Sequence, residues 1–207
     1  MQAASCGVPF TTALDALDRA GVTAKTRLLI IGAAGAVGSA AMAIAHCRGA
    51  KVIAAVRRDD PRQTLTAAGV TTLKLDGDVP LAELLSPYFP DGADCIFDTA
   101  GAWLPEAVTA LAPFGRIAVI AAPADGHVRM PLLELYRRGG SVVGINSLLH
   151  DPVACAAILT RLAPDFETGR LTTQANLRVI PLSDGPEAYA ALNRGEAAKI
   201  VLQCHPA

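Results

Sequence analysis

Residues 27–38 read RLLIIGAAGAVG, and no other stretch of the chain restricts its fold as much. Arg27 leads into the apolar run Leu28, Leu29, Ile30 and Ile31. A run so short and partly β-branched fits a parallel strand covered on both faces. Gly32, Gly35 and Gly38 follow at three-residue spacing, and small, helix-tolerant residues fill positions 39–46. The order is strand, glycine turn, helix. In that order one glycine turns the chain, one lets the backbone approach a pyrophosphate, and one lets the helix pack close to the strand. The helix start then presents N–H groups and a positive dipole end to an anion. Gly32, Ala34, Gly35, Ala36, Val37 and Gly38 are therefore the candidate diphosphate cradle. The alternative is a tight strand-to-helix turn that holds no ligand. No Gly-Lys-Ser/Thr closes the turn, which separates it from a P-loop.

Around this unit, helical and strand patterns alternate. Residues 9–20 read as a helix with Ala13, Leu14, Leu17 and Ala20 on one face. Strands are expected at 51–56, 70–75, 94–98, 115–121 and 141–145, with helices at 61–68, 81–89, 104–111 and 131–138. Such alternation predicts an α/β fold, a Rossmann doubly wound parallel sheet with helices on both faces. Right-handed crossovers give the strand order 3-2-1-4-5-6. A longer helix at 151–166, strands at 177–180 and 199–202 and a helix at 186–193 form an α/β tail. The expected division is a connecting helix over 1–25, a nucleotide-binding domain over 26–150, and a C-terminal part over 151–207.

Composition narrows the function. Of 207 residues, 52% are hydrophobic and 18% charged, which supports a sizeable core. The net charge is −1 with no basic block, so nucleic acid and anionic membranes are poor partners. No apolar run reaches the length of a membrane span, and the N-terminus lacks a signal-peptide pattern. Five widely spaced cysteines without a CxxC pair predict buried, reduced thiols in the cytoplasm.

The end of the second strand should face the adenine ribose. An acid there selects NAD, and a cation there accommodates the 2′-phosphate of NADP. Arg57 and Arg58 follow Val56 directly, and guanidinium pairs phosphate bidentately, which favours NADP(H). Two alternatives stand beside this. Asp59 and Asp60 could neutralise the arginines in a solvated cluster, or Asp59 could be the ribose acid. Ligands of wound sheets sit outside the carboxyl ends of the strands. Thr99, Ala100 and Gly101, then Ala121 and Ala122, then Asn146 and Ser147, follow three such ends and are candidate contacts of a flat ring. Small residues also end strands for turn reasons alone.

Seven stretches together resemble one family: GVPFTTALDAL (7–17), IGAAGAVGSAA (31–41), GAKVIAAVRR (49–58), DCIFDTAG (94–101), GRIAVI (115–120), GGSVVGINS (139–147) and AAKIVL (197–202). The chain resembles the cofactor-binding half of medium-chain dehydrogenases/reductases, in particular the zinc-independent quinone oxidoreductase-like branch. The resemblance implies NADPH-dependent hydride transfer to quinones or to activated enones and enals. It also implies dimers formed through the edge of the Rossmann sheet, here the strand at 141–145. Family members carry a barrel-like catalytic domain ahead of this region, whereas here Met1 stands almost at the connecting helix. The resemblance thus leads to an excised domain, a truncated product or half of a split enzyme, weakly active or inactive by itself.

No residue stands out as a catalytic acid. His46, His127, His150 and His205 are scattered without ligand spacing. Cys6 stands where zinc-dependent relatives keep one catalytic ligand, but its partner ligands would lie in the catalytic domain, so no metal is expected. Two alternatives to the reductase reading are a non-enzymatic nucleotide-binding sensor or interaction module, and a fragment of a zinc-dependent alcohol dehydrogenase.

Overall fold

The apolar run before the glycine turn becomes β1 (Arg27–Ile31), and a six-stranded sheet is built around it. The computed structural model describes residues 2–173, 177–194 and 199–204. β2 (Lys51–Val56) and β3 (Thr72–Lys74) lie on one side of β1. β4 (Ala93–Asp98), β5 (Leu111–Val119) and β6 (Ser141–Gly144) lie on the other. The order is 3-2-1-4-5-6 and every pairing is parallel, as expected. α1 (Gly7–Arg19) precedes the sheet. α2 (Ala36–Cys47), α3 (Asp59–Ala67), α4 (Leu81–Leu85), α5 (Leu104–Thr109) and α6 (Leu132–Arg137) connect successive strands, because parallel neighbours require crossovers.

The sheet is buried on both faces, which is why β1 reads as unbroken apolar sequence. Leu28 and Ile30 join Ala54, Phe97 and Ala118 in the core under α1 and α2. Leu29 and Ile31 join Ile53, Ile96 and Ile117 in the core under α4 and α5. Alternate side chains of one strand thus serve two layers. Each fully buried Leu or Ile contributes about 1.5–3 kcal/mol.

The amino ends of β1 and β4 are tied by one ion pair. Arg27 donates to Asp94 through its backbone N–H at 2.8 Å and through Nη2 at 2.6 Å. The Arg27 side-chain hydrogen bonds hold the Asp94 carboxyl below its usual range. A depressed carboxylate stabilises the fold above its unfolded pKa of about 3.9, and that contribution is lost as pH falls through the lower folded value. The Asp94 side chain is 40% exposed, so solvent screening limits the effect to about 0.5–1 kcal/mol. Urea midpoints should show wild type ahead of Asp94→Asn at pH 7, with the gap narrowing toward pH 3. A gap independent of pH would contradict this assignment.

Several boundaries differ from expectation for identifiable reasons. α3 begins at Asp59, so Asp59 and Asp60 occupy its first turn, where carboxylates suit the helix dipole. β3 is confined to Thr72–Lys74, since the Val70 N–H caps α3 by donating to the Leu65 carbonyl. α4 stops at Leu85 just ahead of Pro87. β5 starts at Leu111, which pairs with Ala93 before a register shift. Phe114, with φ of 61°, lies in the irregular part of β5 that follows. α1 starts at Gly7 and carries Thr11, Thr12, Leu14 and Leu17 inward.

Beyond β6, a 3-10 turn (Ser147–Leu149) leads into α7 (Pro152–Glu167), capped by the Asp151 side chain. α7 packs on α1 through Phe166, whose ring meets Phe10 edge-on at 5.1 Å. β7 (Arg178–Pro181), α8 (Gly185–Asn193) and β8 (Ile200–Gln203) make a separate two-stranded parallel sheet with its connecting helix. Residues 197 and 198 of the AAKIVL motif, and His205, lie outside the described residues. Among the described residues, no helix is long and apolar enough to cross a membrane. Of the five cysteines, only Cys95 is fully buried, and burial pushes its thiol up to about 12. Cys204 is exposed and the other three are half-buried, so the expectation of buried thiols holds for Cys95 alone.

Candidate dinucleotide site

The glycine turn joins β1 to α2 at the carboxyl edge of the sheet. Gly32 has φ of 77°, a conformation that L side chains rarely adopt. Its carbonyl accepts from the Gly35 N–H at 2.9 Å, which closes the turn. Gly38 sits in the first turn of α2 against that same stretch. A Cβ there would run into the Gly32 carbonyl oxygen and lie 2.8 Å from the Ala33 Cα. Only glycine lets α2 come this close to the strand. Gly35 is the N-cap of α2, and both it and Ala36 are exposed. The first turn of α2 carries no acidic residue. A twelve-residue helix aimed outward, without an opposing carboxylate, fits a diphosphate.

The other expected contacts follow along the same edge. Parallel register aligns Ile31 with Asp98, Asp98 with Val119, and Val119 with Gly144. The residues after these ends are thereby brought into one row: the glycine turn, Thr99 to Gly101, Ala121 and Ala122, and Asn146 and Ser147. Ala100, Ala121, Ala122 and Asn146 are exposed. Thr99 is committed to the fold. Its N–H donates to the Ile31 carbonyl at 3.1 Å and its Oγ1 to the same oxygen at 2.8 Å. The N–H groups of Ala100 and Gly101 donate to Asp98 Oδ1 at 2.8 and 3.0 Å. These amides shape the edge rather than stand open to a ligand. Asn146 Oδ1 accepts from the Leu148 N–H at 3.1 Å, and Ser147 Oγ accepts from Thr12 Oγ1 at 2.8 Å.

Asp98 is the residue that sequence reasoning missed here. It ends β4, is fully buried, and also accepts from the Trp103 N–H at 3.2 Å. Three backbone donors on one carboxylate fold the 99–103 loop back onto the strand end. Gly101 is thereby pressed against the next loop, where an added Cβ would meet the Ala121 carbonyl carbon and the Ala122 nitrogen at 2.5 Å. An Asp followed by small turn residues is a recognisable Asx-type signal.

At the end of β2, Arg57 and Arg58 are exposed, and Arg58 is the N-cap of α3. The neighbouring carboxylate has other partners. Asp59 Oδ2 lies 3.0 Å from Lys74 Nζ, and its Oδ1 lies 3.4 Å from Arg62 Nε. The hydrogen bond from Lys74 is the main cause that holds the Asp59 carboxyl below its usual range. Among the described residues, no ion pair engages Arg57 or Arg58. The expected alternative in which Asp59 and Asp60 neutralise the two arginines is therefore not seen among the described residues. Cys6 lies at the start of α1, where burial raises its thiol pKa. No group of three or more His, Cys, Asp or Glu placed to hold a metal occurs among the described residues.

Comparison with known proteins finds relatives in one family. The sequence pattern of the family described as zinc-binding dehydrogenase matches residues 36–159. A zinc-type alcohol dehydrogenase-like protein of Schizosaccharomyces pombe is 33% identical over 173 residues, covering 82% of this chain and 50% of that protein. Prostaglandin reductase 1 of Bos taurus is 36% identical over 129 residues, 61% of this chain and 39% of that protein. The chain thus spans half or less of these two curated relatives. Among solved structures, the quinone oxidoreductase of Thermus thermophilus, described together with its NADPH complex, superposes with a TM-score of 0.80. It is 30% identical, and the match covers 98% of this chain and 66% of that one.

Proposed function

The chain belongs to the zinc-binding dehydrogenase family as the NAD(P)-binding part of a medium-chain dehydrogenase/reductase, and from that premise we propose that its cofactor is NADP(H) and its reaction hydride transfer to a quinone or an activated enone or enal. One observation carries the cofactor choice: Arg57 and Arg58 are exposed at the end of β2 and form no ion pair among the described residues, while Asp59 is held by Lys74 and Arg62. A 2′-phosphate can take two guanidinium groups there, whereas a ribose hydroxyl would need a carboxylate that is already engaged.

In this reading the first turn of α2 binds the diphosphate, and the arginines fix the adenylate. The row from Thr99 to Ser147 receives the nicotinamide. Reduced nicotinamide, when bound, supplies the hydride. The chain's own residues orient the ring: Gly101 lets two loops close together, and Ala100, Ala121 and Ala122 leave space for a flat face. The substrate class is supported by the printed names of the relatives, among them prostaglandin reductase 1 and quinone oxidoreductase. Thermal unfolding tests the cofactor choice. Adenosine 2′,5′-bisphosphate should raise the melting temperature more than 5′-AMP at equal concentration. Equal shifts would count against the 2′-phosphate site.

The sheet edge supports a second proposal, a homodimer. Among the described residues, β6 pairs on one side only. Leu132 and Tyr136 of α6, which leads into it, and the nearby Phe114 expose large apolar surfaces. An uncovered edge with apolar neighbours is a pairing surface. Sedimentation velocity should give a dimer for wild type and a monomer for Tyr136→Glu combined with Leu132→Glu. A wild-type monomer, or a variant that stays dimeric, would contradict the assignment of this edge.

A further inference from the structure

Three side chains on one face of α1 grip the segment that follows β6. Thr12 Oγ1 donates to Ser147 Oγ at 2.8 Å. Asp15 Oδ2 lies 3.5 Å from His150 Nε2. Arg19 Nη1 donates to the Gly144 carbonyl at 2.8 Å and passes 3.9 Å from Asp15 Oδ2. Positions 12, 15 and 19 are three and four apart, so they stack on one helical face. Their targets are the last residue of β6, the first residue of the 3-10 turn, and the residue just after that turn. The segment is thus held at its start, middle and end. Thr12 is buried and the Asp15 side chain is only 12% exposed, so two of the three contacts are shielded from bulk water.

The opposite face of α1 packs on α2. Leu14 and Leu17 share a core with Ala40, Ala41 and Ile44 of the helix that carries the glycine turn. One helix therefore touches both ends of the row: the diphosphate helix on one side and the stretch bearing Asn146 and Ser147 on the other.

We infer that Thr12, Asp15 and Arg19 are positioning residues that set the distance between α2 and the segment after β6, and with it the fit of the nicotinamide end of the dinucleotide. The inference rests on the proposed cofactor reading, in which Asn146 and Ser147 face the nicotinamide and Arg57 and Arg58 the adenylate. A dinucleotide has a limited span between its rings, so the two walls that receive it must be held in register. Only the nicotinamide half depends on the α1 grip.

Two probes separate the halves: NADPH, and adenosine 2′,5′-bisphosphate, which carries the adenylate and 2′-phosphate but no nicotinamide. With the full chain, Thr12→Val combined with Arg19→Met should raise the Kd for NADPH about tenfold. The Kd for the bisphosphate should change by less than about twofold, because its contacts lie at the other end. Thr12→Ser, which keeps the hydroxyl, should retain NADPH affinity. Equal weakening of both probes, or of neither, would overturn the inference while leaving the cofactor reading intact. A folded wild-type chain that binds neither probe would overturn the cofactor reading and this inference with it.

Discussion

Replacing Arg57 and Arg58 together by alanine should weaken NADPH binding about a hundredfold and leave NADH binding within about twofold. Both side chains are exposed at the end of β2, and their nearest acidic neighbour in sequence is already bound by Lys74 and Arg62. Among the described residues no ion pair holds either guanidinium, so each can form charge-assisted hydrogen bonds with a phosphate, at about 1.5–3 kcal/mol apiece before screening. Loss of both, discounted for exposure, gives about 2.7 kcal/mol, which is the hundredfold effect. The 2′-phosphate is the only group that distinguishes the two cofactors, so the loss must be selective. Fluorescence titration of the reduced nicotinamide reads both affinities. Parallel losses for NADPH and NADH would place the arginines elsewhere on the ligand or in the fold.

Asp98→Ala should destabilise the chain by about 3 kcal/mol. The carboxylate is fully buried and accepts from the N–H groups of Ala100, Gly101 and Trp103. Alanine removes this partner at the end of β4; the N–H of exposed Ala100 can turn to water, but the buried Gly101 N–H is left unsatisfied, and an unsatisfied buried donor costs about 1–3 kcal/mol. Asp98→Asn should recover part of the loss. One amide oxygen can still serve Ala100 and Gly101, while the NH2 group faces the Trp103 N–H as donor against donor. The midpoint of urea unfolding measures both variants. A loss below about 1 kcal/mol for Asp98→Ala would mean that the loop keeps its shape without the carboxylate.

The centre of this fold was readable because physics overdetermines it. Leu28 to Ile31 must be covered on two faces, and the glycines at 32, 35 and 38 permit one kind of turn. Strand order then followed from the handedness of crossovers. Edges were less legible. β3 has a single neighbour and is shorter than its apolar pattern, because Val70 is drawn into capping α3. The early start of β5 depends on pairing between Leu111 and Ala93, residues far apart in the chain. In the candidate site, the strand ends were legible and the bonds were not. Thr99 to Gly101 read as small residues at a strand end, yet their amides serve Ile31 and Asp98. The pairing of Asp59 with Lys74 likewise joins α3 to β3, and no local pattern announces it. The grip of α1 on residues 144–150 joins residues 125 and 135 positions apart and is visible only once the chain is folded.

Calorimetric titration of the full chain with NADPH and with NADH bears on the central claim most directly, since everything turns on whether the start of α2 cradles a dinucleotide. The account predicts saturable binding of NADPH at one site per chain, tighter than that of NADH. A folded chain that takes up neither nucleotide would contradict it.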